Sequence, residues 1–138
     1  MTNAQTLRGM ATISFFATDL EAAKKWYSEL LGIDPYFIRD GYIEFRIGDY
    51  MHELGIIDSK YMPKVAKPGP GGAVVFWHVD DITAMLEKLK AMGAKEYEAL
   101  TKREAGFVTA SVVDPFGNIL GIMHNPHYLE ILNSTKQA

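Results

Sequence analysis

The chain has 138 residues, of which 48% are hydrophobic, which is enough for one domain with a core and too little for two ordinary domains. Its net charge of −3 favours neither nucleic acid nor an anionic membrane as a partner, and the lack of cysteine excludes disulfides, thiolate metal sites and thiol catalysis. No apolar run approaches the roughly 20 residues that cross a bilayer, and residues 1–10 lack the apolar core of a secretory signal, so we expect a cytoplasmic protein.

The first half of the chain predicts one strand, one helix and three short strands. Residues 10–17 are rich in strand-favouring side chains. A helix is expected to start at Thr18 or Asp19, because apolar residues then recur at helical intervals until Gly32. Two Asp/Gly pairs separate the next three apolar runs, as in hairpins, and these runs cover residues 35–39, 42–47 and 50–57.

The second half repeats this succession after a loop. Residues 58–72 hold three of the six prolines and three of the twelve glycines, which predicts a long lid or linker. Asp80 or Asp81 starts the second helix, and the strands are expected at residues 73–79, 95–100, 107–113 and 119–124. Between the last two strands, Asp-Pro-Phe-Gly-Asn at 114–118 predicts a tight turn, because Asp bonds the local backbone, Pro fixes φ and Gly tolerates positive φ.

The two halves are an internal repeat. A shift of 62 residues places Asp19 on Asp81 and Thr12 on Val74. We therefore expect an α+β fold in which two β-α-β-β-β repeats form a cupped mixed sheet with the helices outside. The repeats cover about residues 10–57 and 73–124 within a single domain over 10–125, preceded by a flexible N-terminus (1–9) and followed by a short helix and tail (126–138).

Three motifs carry a resemblance to a known family: TDLEAAKKWYSELLG at 18–32, HVDDI at 78–82 and VVDPFGNILGI at 112–122. In this order and spacing, the chain resembles the vicinal oxygen chelate (VOC) superfamily of glyoxalase I, bleomycin-resistance proteins and extradiol dioxygenases. The resemblance implies the doubled fold over residues 10–125. One fold hosts many reactions, so it does not by itself identify a chemistry.

The resemblance also implies four places where metal-dependent members hold a divalent ion. These places fall near Thr12, on Glu53, near Val74 and on Gly121, and only Glu53 keeps a side chain that binds metal. Because a catalytic ion usually needs three protein ligands, we expect no metal and no other cofactor. The alternative is a divalent ion near Glu53 and His78, and a bulge in the fourth strand would turn His52 inward in place of Glu53.

Strand alternation gives the predicted wall of the cup. Its residues are Thr12, Ser14, Phe16, Met51, Glu53, Gly55, Val74, Phe76, His78, Gly121 and Met123. Glu53 is the candidate catalytic base or ligand acceptor, set against a rim glutamate that pairs with a lysine. His78 is either a ligand contact or the hydrogen-bond partner of a neighbouring loop at the strand end.

Three functions remain open from the sequence. The first is a metal-free protein that sequesters a small apolar or aromatic ligand, as bleomycin-resistance proteins do. The second is a glyoxalase-type lyase or isomerase, or a ring-cleaving dioxygenase. The third is a dimeric interaction module with no ligand. The resemblance also suggests a homodimer, because open sheet edges invite pairing.

Overall fold

The computed structural model describes residues 5, 7–64, 66 and 69–136, without the side chain of the last of these. The chain forms two units, a first that ends at Met62 and a second that begins at Pro63. Most of the predicted flexible N-terminus and part of the predicted loop 58–72 lie outside the described residues. Within the part that the structure describes, no helix is long and apolar enough to cross a membrane.

The first unit has the predicted order β-α-β-β-β. Its elements are β1 (Thr12–Ala17), α1 (Leu20–Leu31), β2 (Phe37–Arg39), β3 (Tyr42–Ile47) and β4 (His52–Asp58), followed by a 3-10 turn at Ser59–Tyr61. The strands form one sheet in the order β1-β4-β3-β2, in which only β1 and β4 are parallel. The sheet is therefore mixed, as the sequence predicts.

Helix α1 covers one face of this sheet. Asp19 caps its first turn by accepting a hydrogen bond from the Ala22 amide at 3.0 Å, and Gly32 ends it with φ 70°. Its buried residues Ala23 and Tyr27 lie with the apolar side chains of the strands, which are Phe15, Ala17, Ile43, Phe45, Leu54 and Ile56. Alternation then sends the other side chains of β1, β3 and β4 to the face opposite α1.

The second unit repeats the order and adds a terminal helix. Its elements are β5 (Val75–His78), α2 (Ile82–Ala91), β6 (Lys95–Lys102), β7 (Val108–Val113), β8 (Ile119–His124) and α3 (Pro126–Lys136). The sheet order is β5-β8-β7-β6, with β5 and β8 parallel. Asp81 caps α2 as Asp19 caps α1. The predicted fold class of two β-α-β-β-β repeats is confirmed, while the predicted cup stays an expectation.

Several predicted boundaries are corrected. The strand predicted over 50–57 begins at His52, because Met51 lies in the preceding turn with φ 54° and its amide bonds the Gly48 carbonyl at 3.3 Å. The strand β6 runs to Lys102, past its predicted end at Leu100. The short helix predicted within residues 126–138 covers Pro126–Lys136.

The turn before β8 is built on Asp114, as predicted. Its carboxylate is 3% exposed and accepts hydrogen bonds from the amides of Phe116 (2.9 Å) and Asn118 (2.8 Å), and from the Asn118 side chain (3.0 Å). Gly117 takes φ 93°. The turn sets the register of β7 against β8, and so fixes which residues of β8 face away from α2.

Replacing Asp114 by Ala should lower the free energy of unfolding by about 2–3 kcal/mol, because buried donors lose a charged acceptor. Urea denaturation measures the change. The control is Asp34→Ala at an exposed position, which should stay within about 0.5 kcal/mol of the parent protein. Equal effects of the two substitutions would show that Asp114 does not hold the turn.

Candidate functional site

A polar surface occupies the face of the first sheet opposite α1, and we call it the Glu53 face. Cross-strand pairing defines three rows on it: Thr12, Glu53 and Arg46; Ser14, Gly55 and Glu44; and Phe16, Ile57 and Tyr42. Residues paired across neighbouring strands point to the same side of a sheet. The sequence thus places its polar residues away from the apolar side chains that pack on α1.

A buried carboxylate lies at the centre of the Glu53 face. Glu44 is 9% exposed and accepts hydrogen bonds from two hydroxyls, Tyr36 on Oε2 and Tyr42 on Oε1. The Tyr36 backbone amide also donates to the Glu44 carbonyl at 3.0 Å, so backbone and side chain hold the same pair of residues together. Two donors compensate the removal of this carboxylate from water.

Both tyrosines are kept in their protonated, donating form. Burial raises the pKa of Tyr42, and its hydrogen bond to Glu44 raises it further. The pKa of Tyr36 is raised mainly by the hydrogen bond that its hydroxyl donates to Glu44. Because ionisation would place a phenolate against a carboxylate, each hydroxyl remains a donor beyond the ordinary tyrosine range.

Glu53 lies beside this pair and is less buried than Glu44. Its Oε1 accepts a hydrogen bond from Thr12 Oγ1 at 2.9 Å, and its Oε2 lies 3.2 Å from the Tyr36 hydroxyl. A hydroxyl has one proton, and the Tyr36 proton is directed to the closer carboxylate of Glu44. Oε2 of Glu53 therefore keeps the capacity to accept a hydrogen bond from another donor.

Arg46 and Gly55 complete the surroundings. The guanidinium carbon of Arg46 lies 4.0 Å from the centre of the Tyr36 ring, a cation–π arrangement. A Cβ at Gly55 would lie 2.6 Å from the Tyr42 hydroxyl oxygen, so the absence of a side chain leaves room for the ring. Glu44, Glu53 and Arg46 supply two carboxylates and one guanidinium, and Arg39, which pairs with Tyr42, adds a second guanidinium to the same face.

The structure places the predicted residues of the first half as follows. Thr12 and Glu53 are hydrogen-bonded neighbours, and Ser14 and Phe16 share their face. Met51 is not part of the strand and is 59% exposed in the turn. The pairing of β4 with β3 is regular from His52 onward, so no bulge exchanges His52 for Glu53.

Four of the predicted residues of the second half share the face of the second sheet opposite α2. Phe76 pairs with Gly121, and His78 pairs with Met123. Val74 precedes β5 and pairs with no strand residue. These placements describe geometry, and a ligand role for the residues stays a prediction.

Both ring nitrogens of His78 are engaged within the second unit. Nδ1 accepts a hydrogen bond from the Asn125 amide at 3.1 Å, and Nε2 lies 3.2 Å from Asp80 Oδ1. The ring stacks on Tyr128 with centres 4.8 Å apart, and its side chain is 7% exposed. His78 therefore bonds the segment that follows β8, which is the second of the two roles that the sequence leaves open for it.

The internal repeat shows which residues of the two sheets correspond at the four metal places that the resemblance implies. Thr12 pairs with Glu53, and Ser14 pairs with Gly55, while Phe76 pairs with Gly121. Since Phe76 corresponds to Ser14 in the repeat, the counterpart of Gly121 is Gly55 rather than Glu53. Among the described residues, no three His, Asp or Glu side chains form a group that could hold a metal ion.

Sequence reasoning missed four residues of the cluster, namely Tyr36, Tyr42, Glu44 and Arg46. A signal was present, because β3 alternates polar Tyr42, Glu44 and Arg46 with apolar Ile43, Phe45 and Ile47. Applying alternation to β3 as well as to β1 and β4 would have placed the three polar residues with Glu53. Tyr36 precedes β2, and no periodic pattern predicts its position.

Comparison with known proteins gives a family and a fold. The Glyoxalase/Bleomycin resistance protein/Dioxygenase superfamily matches residues 9–122. No curated protein matches the chain.

Three solved structures illustrate the likeness of the fold. A glyoxalase-related enzyme from Fulvimarina pelagi is 24% identical with a TM-score of 0.70, over 87% of this chain and 90% of that one. A bleomycin resistance determinant encoded on the transposon Tn5 is 22% identical with a TM-score of 0.61, over 86% and 98%. Lactoylglutathione lyase from Agrobacterium tumefaciens is 17% identical with a TM-score of 0.67, over 89% and 98%.

The raised pKa of Tyr42 predicts a late step in an alkaline titration. Tyrosines ordinarily ionise at a pH of about 10, and Tyr42 should ionise above that value. The folded state then holds a proton that the unfolded state has lost, so the free energy of unfolding should fall as pH rises above about 10. Tyrosinate absorbance follows the titration, and Tyr42→Phe should remove the contribution of Tyr42 to the late step and leave that of Tyr36. Loss of that step in the control Tyr97→Phe instead would contradict the assignment.

Replacing Gly55 by Ala should push the Tyr42 ring away and break its hydrogen bond to Glu44. The buried carboxylate then loses one of its two donors, which should cost about 1–3 kcal/mol in thermal or urea unfolding. Gly71→Ala is the control, because a Cβ there meets nothing within 4 Å. A Gly55→Ala protein as stable as its control would show that the ring needs no such space.

Proposed function

The chain belongs to the Glyoxalase/Bleomycin resistance protein/Dioxygenase superfamily, and from this premise we propose that it sequesters a small aromatic or apolar molecule without a metal ion. The ligand carries a hydrogen-bond donor, an amine or a hydroxyl, that meets Glu53. The observation that carries the proposal is the accepting oxygen Oε2 of Glu53, held in place by Thr12 and set beside the tyrosine-fixed carboxylate of Glu44.

Hydrogen-bond capacity favours a donor over an acceptor as the ligand's polar group. The hydroxyl protons of Tyr36, Tyr42 and Thr12 are all directed to carboxylate oxygens of the cluster. The carboxylates of Glu44 and Glu53 are matched in number by the guanidiniums of Arg46 and of Arg39, which pairs with Tyr42 on the same face, so the preference rests on hydrogen-bond capacity. An ammonium or hydroxyl group therefore complements the cluster better than a carboxylate does.

Aromatic rings beside the cluster suit an apolar ligand body. Tyr36 and Phe37 are 46% and 43% exposed, and the Phe37 ring lies 6.3 Å from that of Tyr42 in an edge-to-face arrangement. Apolar and aromatic walls with a few polar groups are the usual composition of a small-molecule site. The bleomycin resistance determinant among the structural relatives makes sequestration of such a molecule a consistent function.

Two other functions compete with this proposal. A lyase or dioxygenase would use Glu53 as a base, and its support is the glyoxalase relatives together with the hydroxyl-bonded position of that carboxylate. An interaction module would bind no small molecule at all. We rank the enzyme second because three of the four metal places implied by the family fall near Thr12, near Val74 and on Gly121, whose side chains are not metal ligands of the family's usual kind.

Replacing Glu53 by Gln tests the proposal with two probes, bleomycin and phenethylamine, titrated calorimetrically in the presence of EDTA. The parent protein should bind at least one of them, and Glu53→Gln should weaken its binding by about tenfold, as expected for a hydrogen bond to a charged group. Glu104→Gln, at an exposed position of the second unit, should leave the affinity unchanged.

Two results would contradict sequestration. One is binding that appears only when a divalent ion is added. The other is lactoylglutathione lyase activity with Zn²⁺ or Ni²⁺ that Glu53→Gln abolishes, which would support the enzyme. Failure of both probes, with and without metal, would favour the interaction module.

A homodimer is part of the proposal. The edge strand β2 is exposed along its length, with Phe37 and Ile38 at 43% and 55%, and such edges invite pairing with another chain. Light scattering after size exclusion should give twice the chain mass, and Ile38→Lys should shift it toward the monomer. A monomeric parent protein at micromolar concentration would contradict this part.

A further inference from the structure

The edge strand β2 leaves an apolar row of the first sheet open. On the side of α1, cross-strand pairing lines up Phe15, Ile56, Ile43 and Ile38 across the four strands. The first three side chains are 7%, 0% and 2% exposed, whereas Ile38 at the edge is 55% exposed. In the described part of the chain, β2 has a neighbouring strand on one side only. An exposed apolar edge of this kind favours the addition of another strand.

The other side of β2 carries an aromatic ring and a cation. Phe37 pairs with Glu44, and Arg39 pairs with Tyr42. The side chains of Phe37 and Arg39 therefore lie on the Glu53 face. The Phe37 ring contacts Tyr42 of its own chain, with centres 6.3 Å apart, and remains 43% exposed. Arg39 is exposed at the same edge, and a guanidinium within about 6 Å of an aromatic ring is attracted to its face.

The segment Phe37–Arg39 is self-complementary in an antiparallel pair. When two copies of β2 align with Ile38 opposite Ile38, Phe37 of each copy lies opposite Arg39 of the other. Residues directly opposite each other point to the same side of the sheet, with Cβ atoms about 4.5–5.5 Å apart. This alignment continues the apolar row on the side of α1 with a second isoleucine. It also makes two ring–guanidinium contacts on the Glu53 face.

The edge strand β6 of the second sheet has features that oppose such pairing. It is the last strand in its sheet, and Lys95, Glu96 and Glu98 are exposed along it. Its pairing with β7 shifts register on either side of Glu98. Charges and bulges are the means by which edge strands avoid pairing with another chain. Because β2 has a regular register with β3 and an apolar centre, it is better suited than β6 to accept a strand.

We infer that a second copy of this chain pairs with β2 in the antiparallel register that sets Ile38 opposite Ile38. The occupant is a copy of the chain because the aromatic ring, the isoleucine and the cation of β2 complement the same three residues in reverse order. Such a pair has two-fold symmetry, so each copy makes the same contacts with the other. The inference goes beyond a homodimer, because it specifies the strand, the register and the contacting side chains.

The second copy then contributes a residue to the ligand site. Its Arg39 lies against Phe37, which shares a row of the Glu53 face with Glu44. The guanidinium contacts the part of the Phe37 ring that is exposed in a single chain, and so completes the aromatic wall beside Glu53. This consequence rests on the proposed function, whereas the pairing of the strands does not.

Cysteine cross-linking tests the register, because the chain has no cysteine of its own. Ile38→Cys, oxidised with copper phenanthroline, should form a covalent dimer. Opposite Cα atoms of a strand pair lie about 4.5–5.5 Å apart, within the roughly 4.4–6.8 Å that a disulfide spans. Phe37→Cys should cross-link about tenfold more slowly, because the two copies of this residue are diagonal neighbours roughly 7–8 Å apart. Ile131→Cys, 44% exposed on α3, is the control for random collision.

A double-mutant cycle tests the ring–guanidinium contacts. Arg39→Gln and Phe37→Leu should each weaken the dimer about fivefold in sedimentation equilibrium, and the double variant should be no weaker than the single ones. The effects do not add because each substitution removes the same two contacts. Ile38→Cys that cross-links no faster than Ile131→Cys, Phe37→Cys that cross-links faster than Ile38→Cys, or additive effects in the cycle would each overturn the inference.

Ligand binding is a separate measurement for the shared site. Bleomycin or phenethylamine, whichever binds the parent protein, should bind monomeric Ile38→Lys several-fold more weakly, because Arg39 of the second copy is lost. Equal affinity of the two proteins would overturn the contribution of the second copy to the site. Failure of both probes with the parent protein would contradict the proposed function, and the cross-linking rates would still decide the pairing of β2.

Discussion

The hydrogen bonds from Tyr36 and Tyr42 to the carboxylate of Glu44 are the interaction on which the Glu53 face depends. A carboxylate that is 9% exposed would be costly without donors. The hydroxyls of Tyr36 and Tyr42 supply these donors. The same two hydrogen bonds hold the segment before β2 and the start of β3 against the centre of the sheet. Thr12 bonds Oε1 of Glu53 and the Tyr36 proton is directed to Glu44, so Oε2 is the oxygen of Glu53 that remains open to a ligand.

The fold makes this arrangement possible because the two sides of each strand make different contacts. Apolar side chains of β1, β3 and β4 lie with α1, and the intervening positions are left to polar and small residues. Gly55 contributes by having no side chain where the Tyr42 ring needs space. The second sheet has the same arrangement with different residues. Gly121 leaves space for the Phe76 ring, and Ser111 occupies the position that Glu44 has in the first sheet.

Much of the fold follows from the sequence, because its signals are local. Asp19, Gly32, Asp81 and the Asp114 turn act through their own backbone neighbours, and the structure shows each in its predicted role. The shift of 62 residues that aligns β1 with β5 does not extend to the hairpins, because the loops of the second half differ in length.

The candidate site was less accessible to sequence reasoning, since its chemistry depends on contacts between distant segments. Alternation brought Thr12 and Glu53 to one face, but it does not reveal that two tyrosines bury Glu44. Met51 was assigned to the strand because nothing in its side chain predicts a φ of 54°. The Asn125 amide that donates to His78 belongs to the segment that leads into α3, 47 residues away, and no periodicity connects the two residues.

The most direct measurement of the central claim is a crystal structure of the protein with bound phenethylamine or bleomycin. The account predicts a donor nitrogen or hydroxyl of the ligand within hydrogen-bond distance of Glu53 Oε2, with both tyrosine hydroxyls still on Glu44. A ligand bound away from Glu53, or a divalent ion coordinated by Glu53, would contradict it.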